Sequence, residues 1–258
     1  MGEMISRLIN RISGSASEKR YRRILAVGDV HGFFSAFNFV YHKIAFDPAR
    51  DLLIFLGDYT DRGRQSYEMM NWVMTHRATE NIVFLRGNHE QLIYDAFRGR
   101  DAAKRAVDKT TWLDNGGRET MSSLASSLGK DKATGFLTRW LDFVSELPLY
   151  YELTAGGRHF VFCHAGIDPR EPMERQTKDA LLWDRTFFKT PYHGSFTVVI
   201  GHTPVQYSKA LGYSDAIHPL ILDDGHKILL DTGVFMSNGH LSCVDVLSGR
   251  MYESNSLD

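Results

Sequence analysis

The chain has 258 residues, 43% of them hydrophobic and 24% charged, with a formal net charge of −1. That length and composition describe a globular chain with a core of its own, not a disordered one. So small a net charge supplies no global field to draw nucleic acid or an anionic membrane, and two cysteines are too few for a disulfide framework. Cys163 and Cys243 each sit in an apolar run and are expected in the core of a cytoplasmic protein. No apolar stretch approaches the roughly 18 residues of a membrane span, and no secretory signal pattern is present.

In chain order, Ile5, Leu8, Ile9 and Ile12 fall at helical spacing beside Arg7 and Arg11, so residues 1–22 are expected to hold an amphipathic helix. It is expected to dock on its own domain or fray, with peripheral contact to a membrane or a partner as the alternative. Met1-Gly2 with Ser6 also fits the N-myristoylation pattern. Residues 24–27 read as a strand, and 33–44 as a helix closed by Asp47-Pro48. A second strand covers 52–56, and a helix 66–75 follows, with Ser66 as its N-cap and Glu68 in its first turn. A third strand spans 82–85. Residues 91–147 show no clear strand; 91–107, 122–128 and 135–146 read as helices, a helical insertion that would wall a site. A β-rich half follows, at 148–153, 159–163, 197–200, 228–231 and 241–246, with loop and a short strand pair over 205–227. Strand–helix alternation in the first part implies a largely parallel sheet with ligands at the carboxyl ends of its strands.

Those ends carry the polar residues. Leu52 to Leu56 runs into Gly57-Asp58-Tyr59-Thr60-Asp61-Arg62-Gly63, and Ile24 to Val27 into Gly28-Asp29-Val30-His31-Gly32. Ile82 to Leu85 runs into Arg86-Gly87-Asn88-His89-Glu90, His159 to Cys163 into His164-Ala165-Gly166, and Thr197 to Ile200 into Gly201-His202-Thr203-Pro204. A turn explains the glycines. It does not explain two carboxylates held together, which repel unless a cation lies between them. Asp58 therefore reads as a metal ligand, and Asp29 and His31, two apart, would face one ion if strand geometry continues into the turn. Asp, His and Asn without a thiolate cluster suit manganese, iron or zinc.

The blocks GDVHG, GDYTDRG and GNHE, in that order, resemble the signature of the calcineurin-like metallophosphoesterases. The Asp61-Arg62-Gly63 ending is similar to the serine/threonine protein phosphatase branch. The stretches around Phe46 to Asp51, Trp112 to Gly117, Thr154 to Arg158, Leu182 to Arg185 and Gly201 to Pro204 resemble the bacterial and phage lambda-type enzymes. The resemblance implies an α/β fold, a two-sheet sandwich flanked by helices, as one catalytic domain over 23–250 with 251–258 as a tail. It implies two divalent ions, manganese first, with iron or zinc as alternatives. Asp29, His31 and Asp58 would hold one, and Asp58, Asn88, His164 and His202 the other. A hydroxide bridging them would attack phosphorus in line. His89 would be the general acid oriented by Asp61, and Arg62, Arg86 and Arg185, with Asn88, would grip the phosphate. The expected activity is a phosphomonoesterase acting on phosphoserine or phosphothreonine in proteins, with phosphotyrosine or small phosphate esters as further substrates and no nucleic-acid partner. A symmetrical dinucleoside tetraphosphate hydrolase is the rival enzyme; a non-catalytic scaffold is the rival from another class.

Overall fold

Strands that are apolar on both faces need cover on both faces. The computed structural model, which describes residues 21–255 except Ser214, supplies it. The predicted N-terminal helix and the myristoylation pattern lie outside the described residues. One sheet holds β1 (Arg23–Val27), β2 (Asp51–Phe55), β3 (Ile82–Phe84), β9 (Ser242–Asp245) and β10 (Arg250–Glu253), in the order β10-β9-β1-β2-β3. The other holds β4 (Tyr150–Ala155), β5 (Arg158–Cys163), β6 (Phe196–Ile200), β7 (Leu220–Leu222) and β8 (Lys227–Leu229), in the order β4-β5-β6-β8-β7. Within the sheets, β1, β2 and β3 run parallel to one another, as do β5, β6 and β8.

The two-residue period of a strand separates three cores. Ile24, Ala26, Leu52 and Ile54 face Phe160, Phe162, Val199 and Ile228 between the sheets. The alternate residues Leu25, Val27, Leu53 and Phe55 point outward into α1 (Phe34–Ile44), α2 (Ser66–His76) and the helices that follow. On the far side Val161, Cys163, Val198 and Ile200 pack under α7 (Lys178–Trp183) and α8 (Thr186–Lys189). The result is a two-sheet sandwich flanked by helices, and every layer boundary is apolar. Burying one such Leu, Ile or Phe contributes about 1.5–3 kcal/mol. Both cysteines are buried and unpaired.

The stretch 88–146 folds as α3 (Asn88–Arg98), α4 (Ala102–Trp112), a π-type turn (Leu113–Gly117), α5 (Arg118–Leu128) and α6 (Lys130–Glu146). Four local readings need correction. The helix expected over 91–107 is two helices, broken at Gly99 and restarted by Asp101, whose side chain accepts from Lys104 N at 2.9 Å. Ser66 is the first helical residue of α2 rather than its cap; Gln65 holds that position, and the Ser66 hydroxyl lies 3.2 Å from Asp61 N. The segment 205–227 carries a 3-10 turn (Val205–Leu211), and its short strand pair is β7 with β8, which meets at Leu222 and Lys227 and runs on past the segment to Leu229. Finally, the boundary placed at residue 250 cuts through β10, whose Tyr252 is buried beside Cys243.

Candidate metal centre

The chain ends β1 and β2 with turns that lock onto each other. Val30 N and His31 N both donate to Asp58 O, at 3.0 and 2.8 Å, and Gly32 N donates to Tyr59 O at 2.9 Å. His31, Asp58, Asp61, Arg62 and His202 all have left-handed φ, five of the nine such non-glycine residues among those described. Left-handed backbone is unfavourable for side chains with a Cβ, and its concentration marks a place where position outweighs local comfort. It also corrects the expected strand alternation. With φ at +48°, the turn and not the pleat carries His31 Nε2 to 4.0 Å from Asp29 Oδ2 and 3.5 Å from Asp58 Oδ2. Gly87 is needed beside this turn, since a Cβ there would lie 2.1 Å from Asp58 Oδ1.

Asp58 stands where two groups of candidate ligands meet. His31, Asp58 and His89 bring ligand atoms within 4.8 Å of one another, as do Asp29, Asp58 and His164, and all of these residues are buried. The imidazoles are held by their other nitrogen. His31 Nδ1 donates to Thr60 O at 3.1 Å and His164 Nδ1 to Leu56 O at 3.0 Å, which leaves each Nε2 as a bare lone pair. His164 Nε2 then lies 2.7 Å from Asn88 Oδ1 and 3.2 Å from His202 Nδ1, and His202 Nδ1 lies 2.9 Å from the same amide oxygen. His202 Nε2 is buried without a partner. Burial lowers the pKa of His31 and of His164, and with His164 and Arg185 nearby pushes His202 down to about 2. The bare His164 Nε2 facing the Asn88 amide oxygen, lone pair on lone pair, calls for a shared electrophile. Carboxylate, amide and imidazole donors without thiolate fit divalent metal ions.

Two residues that sequence reasoning gave no role belong to this centre. Glu90 accepts from Asp58 N at 2.8 Å, Tyr59 N at 3.0 Å and Gly87 N at 3.0 Å, so it clamps the Asp58 turn from α3. Asp231 follows β8 and is buried; its Oδ1 accepts from Gly233 N at 2.8 Å and its Oδ2 has no partner. Burial raises the pKa of Asp29 well above the carboxylate range, and Asp231 and Asp58 add to it by repulsion. The signal for Asp231 was present in Leu229-Leu230-Asp231-Thr232-Gly233, another strand end with an acid and a glycine.

His89 points away from Asn88. Its Nδ1 meets Asp61 Oδ2 at 2.7 Å, and its Nε2 lies 4.0 Å from Asp58 Oδ2. Asp61 is fixed from the helical stretch: Trp112 Nε1 donates to both its oxygens, at 3.1 and 3.0 Å, and Thr120 Oγ1 donates at 2.7 Å. Gly116 closes this seam, because a Cβ there would lie 2.4 Å from Arg62 N. Burial works against charge on His89, but Asp58 and Asp61 outweigh it and raise its pKa.

The arginines divide. Arg62 Nη1 donates to His31 Nε2 at 2.9 Å and Nη2 to His89 Nε2 at 3.1 Å, with its guanidinium 4.0 Å from the Phe235 ring centroid. Arg185 Nη1 donates to Thr203 Oγ1 at 2.8 Å, next to His202. Arg86 donates from Nη1 to Gln91 Oε1 at 3.0 Å and from Nη2 to Val144 O at 2.5 Å, tying α3 to the end of α6, and its Nε is buried without a partner. A cleft of about 560 Å³, lined by Arg62, Asp114, Asn115, Gly116, Glu119 and Phe235, opens beside the centre.

Known proteins resemble this chain along most of its length. Serine/threonine-protein phosphatase 2 of Salmonella typhimurium is 28% identical over 231 residues, covering 86% of this chain and 92% of its own. The asymmetrical bis(5'-nucleosyl)-tetraphosphatase PrpE of Oceanobacillus iheyensis is 24% identical over 239 residues, covering 84% and 86%. The solved structure of a serine/threonine phosphatase from Saccharomyces cerevisiae shares the fold, with a TM-score of 0.57 at 14% identity over 94% of this chain and 82% of that one. The family model for calcineurin-like phosphoesterases matches residues 22–234, and the chain belongs to that family.

Proposed function

We propose that the protein is a dinuclear-metal phosphomonoesterase whose substrates are phosphoserine and phosphothreonine in proteins. The observation that carries this reading is the buried His89–Asp61 pair at 2.7 Å, at the mouth of which Arg62 faces an open cleft. An alkoxide leaving from serine or threonine needs a proton, whereas a nucleotide phosphate leaves as a weak base. A positioned acid therefore serves a phosphomonoester more than an anhydride.

In this reading Asp29, His31 and Asp58 hold one ion, and Asp58, Asn88, His164 and His202 the other, with manganese first and iron or zinc as alternatives. Such a pair, when bound, lowers the pKa of a shared water and polarises the phosphoryl oxygens. The protein's own groups do the rest. Asp61 holds the His89 ring through Nδ1, and Nε2, which accepts from Arg62 here, would carry the proton for the leaving oxygen once Arg62 turns to the phosphate. Arg62 and Arg185 offer guanidinium donors to the phosphate oxygens. Arg62 donates to the same His31 Nε2 that ligation would use, so the two uses exclude each other and ligation frees that donor for phosphate. No described helix is long and apolar enough to cross a membrane, and buried unpaired cysteines fit a reducing cytoplasm.

A second reading, hydrolysis of dinucleoside tetraphosphates, is favoured by Trp183. The residue is 39% exposed, and its ring stands perpendicular to His202 at 6.4 Å, where it would offer a stacking face for a nucleobase. A hydrolysis panel with purified protein and manganese, comparing phosphopeptides, p-nitrophenyl phosphate and diadenosine tetraphosphate, decides between them. Faster turnover of diadenosine tetraphosphate than of every phosphomonoester sinks the protein-phosphatase reading.

A further inference from the structure

A second cluster of ligating side chains lies outside the centre and shares no residue with it. His218 Nδ1 is 2.9 Å from Glu253 Oε1 and 3.0 Å from Oε2, and His240 Nε2 is 2.9 Å from the same Oε1. All three ligand atoms fall within 4.8 Å of one another. They come from three separate places in the chain: the lead-in to β7, the lead-in to β9 and the end of β10. Strands β7 and β10 are edge strands of opposite sheets. Two of the three residues are already fixed by backbone. Thr232 Oγ1 donates to His240 O at 2.6 Å, and Glu253 is paired with Ser242 in the ladder. The third, His218, is mostly exposed, with 62% of its side chain accessible.

We infer that His218, His240 and Glu253 form a binding site for a zinc-class divalent ion, separate from the phosphoesterase centre, which staples the open edges of the two sheets. Two imidazoles and a carboxylate suit a borderline ion such as zinc, not calcium or magnesium, which prefer all-oxygen sites. A tetrahedral ion with bonds of about 2.0–2.1 Å spaces its ligand atoms about 3.3 Å apart. The His–Glu spacings of 2.9 and 3.0 Å need to open only slightly, the two histidine ligand atoms lie within 4.8 Å, and the exposed His218 can move. Its exposure also leaves the fourth position to water. The site has a structural consequence: His240 closes the loop that begins at Asp231 and carries Phe235, so an ion here holds the His240 end of the loop that packs Phe235 on Arg62.

The test uses the full chain, stripped with chelator and then equilibrated with zinc at buffered free concentrations, with bound zinc counted by mass spectrometry. The wild type is expected to hold one more equivalent per chain than His218→Ala, at concentrations where the difference saturates. Glu253→Gln should show the same loss. His218 is exposed, so its alanine variant should fold, and circular dichroism on both variants checks this. The gap of one equivalent should persist in an Asp58→Asn background, which separates this site from the phosphoesterase centre. Equal zinc content in folded wild type and His218→Ala overturns the inference, leaving the three residues as a hydrogen-bonded His–Glu–His bridge.

Discussion

Asp51 opens β2 and Asp58 follows its far end, and both carboxylates are buried. Asp51 meets fixed cations: Arg22 donates through Nε at 3.0 Å and Nη2 at 2.8 Å, Arg23 donates as well, and Asp47 N adds a bond at 3.1 Å. Burial works against its charge, yet these partners hold its pKa down at about 2. Asp58 has one backbone donor, His89 N at 3.0 Å, and otherwise faces imidazole nitrogens at 3.5 Å. Asp29 and Asp231 beside it are worse off, each pushed up by burial, Asp231 to about 6. One end of the strand satisfies its acid with the protein's own guanidinium groups. The other gathers acids and imidazoles, and the guanidinium of Arg62 there bonds the His31 and His89 rings rather than a carboxylate. The first arrangement is complete on folding; the second is completed by a ligand. Substitutions at the two ends should therefore separate stability from activity.

The largest effect is expected at Asp58, the residue common to both ligand groups. Asp58→Asn removes the one anion both ions would share. Metal-ion charge stabilisation amounts to several kcal/mol, and each 1.36 kcal/mol is tenfold in rate, so turnover should fall about 10³-fold or more. Bound manganese should fall with it. Near-normal metal content and turnover together would remove Asp58 from the ligand set.

His89→Asn should cost about 10²–10⁴-fold on phosphoserine peptides and far less on p-nitrophenyl phosphate, whose leaving group needs no proton. Both ions should stay bound. His89 also lies near Asp58, so a ligand role makes a different forecast: equal losses on both substrates, missing metal and partial rescue by added manganese. Asp61→Asn should show the same substrate selectivity in weaker form, about 10–100-fold, the usual cost of losing an orienting partner. Loss of metal from that variant would contradict the assignment, because Asp61 contacts His89, Trp112 and Thr120 rather than the ligand atoms.

What could be read in advance follows the same division. The six candidate ligands were legible because each follows an apolar strand and sits beside glycine or within a matched block. Asp231 sits in a similar context but was missed, since Asp231-Thr232-Gly233 belongs to none of the matched blocks. Glu90 was visible in the third block, but two of its three backbone donors, Asp58 N and Tyr59 N, belong to a turn far away in sequence and could not be inferred from spacing. Arg86 shows a packing role beside the expected one. A motif position suggested phosphate, while the packing of α6 offers its guanidinium the carbonyl of Val144. The sandwich itself came from resemblance. Strands buried on both faces read as continuous apolar runs, so the sequence does not reveal which side faces the other sheet.

The smallest expected effect lies at the satisfied end, and it concerns stability alone. Asp51→Asn keeps the shape but leaves Arg22 and Arg23 without their carboxylate. Arg22 is partly exposed and its share is screened, whereas Arg23 is mostly covered. Hydrogen bonds to a charged group contribute about 1.5–3 kcal/mol, so the discounted loss should be about 1–3 kcal/mol at pH 7. The pH dependence has a definite sign. The carboxyl titrates near 2 in the folded protein and near 3.9 when unfolded, so the unfolded state takes up protons first as pH falls. Its stabilising contribution is thus present above about pH 4 and disappears as pH drops towards 2. Denaturant unfolding of wild type and variant at pH 7, 4 and 3 should show a gap that narrows with acid. Turnover per folded molecule at pH 7 should match the wild type. A gap independent of pH would mean that Asp51 is not held as a carboxylate by its arginines, and a loss of turnover without loss of stability would erase the distinction between the two ends of β2.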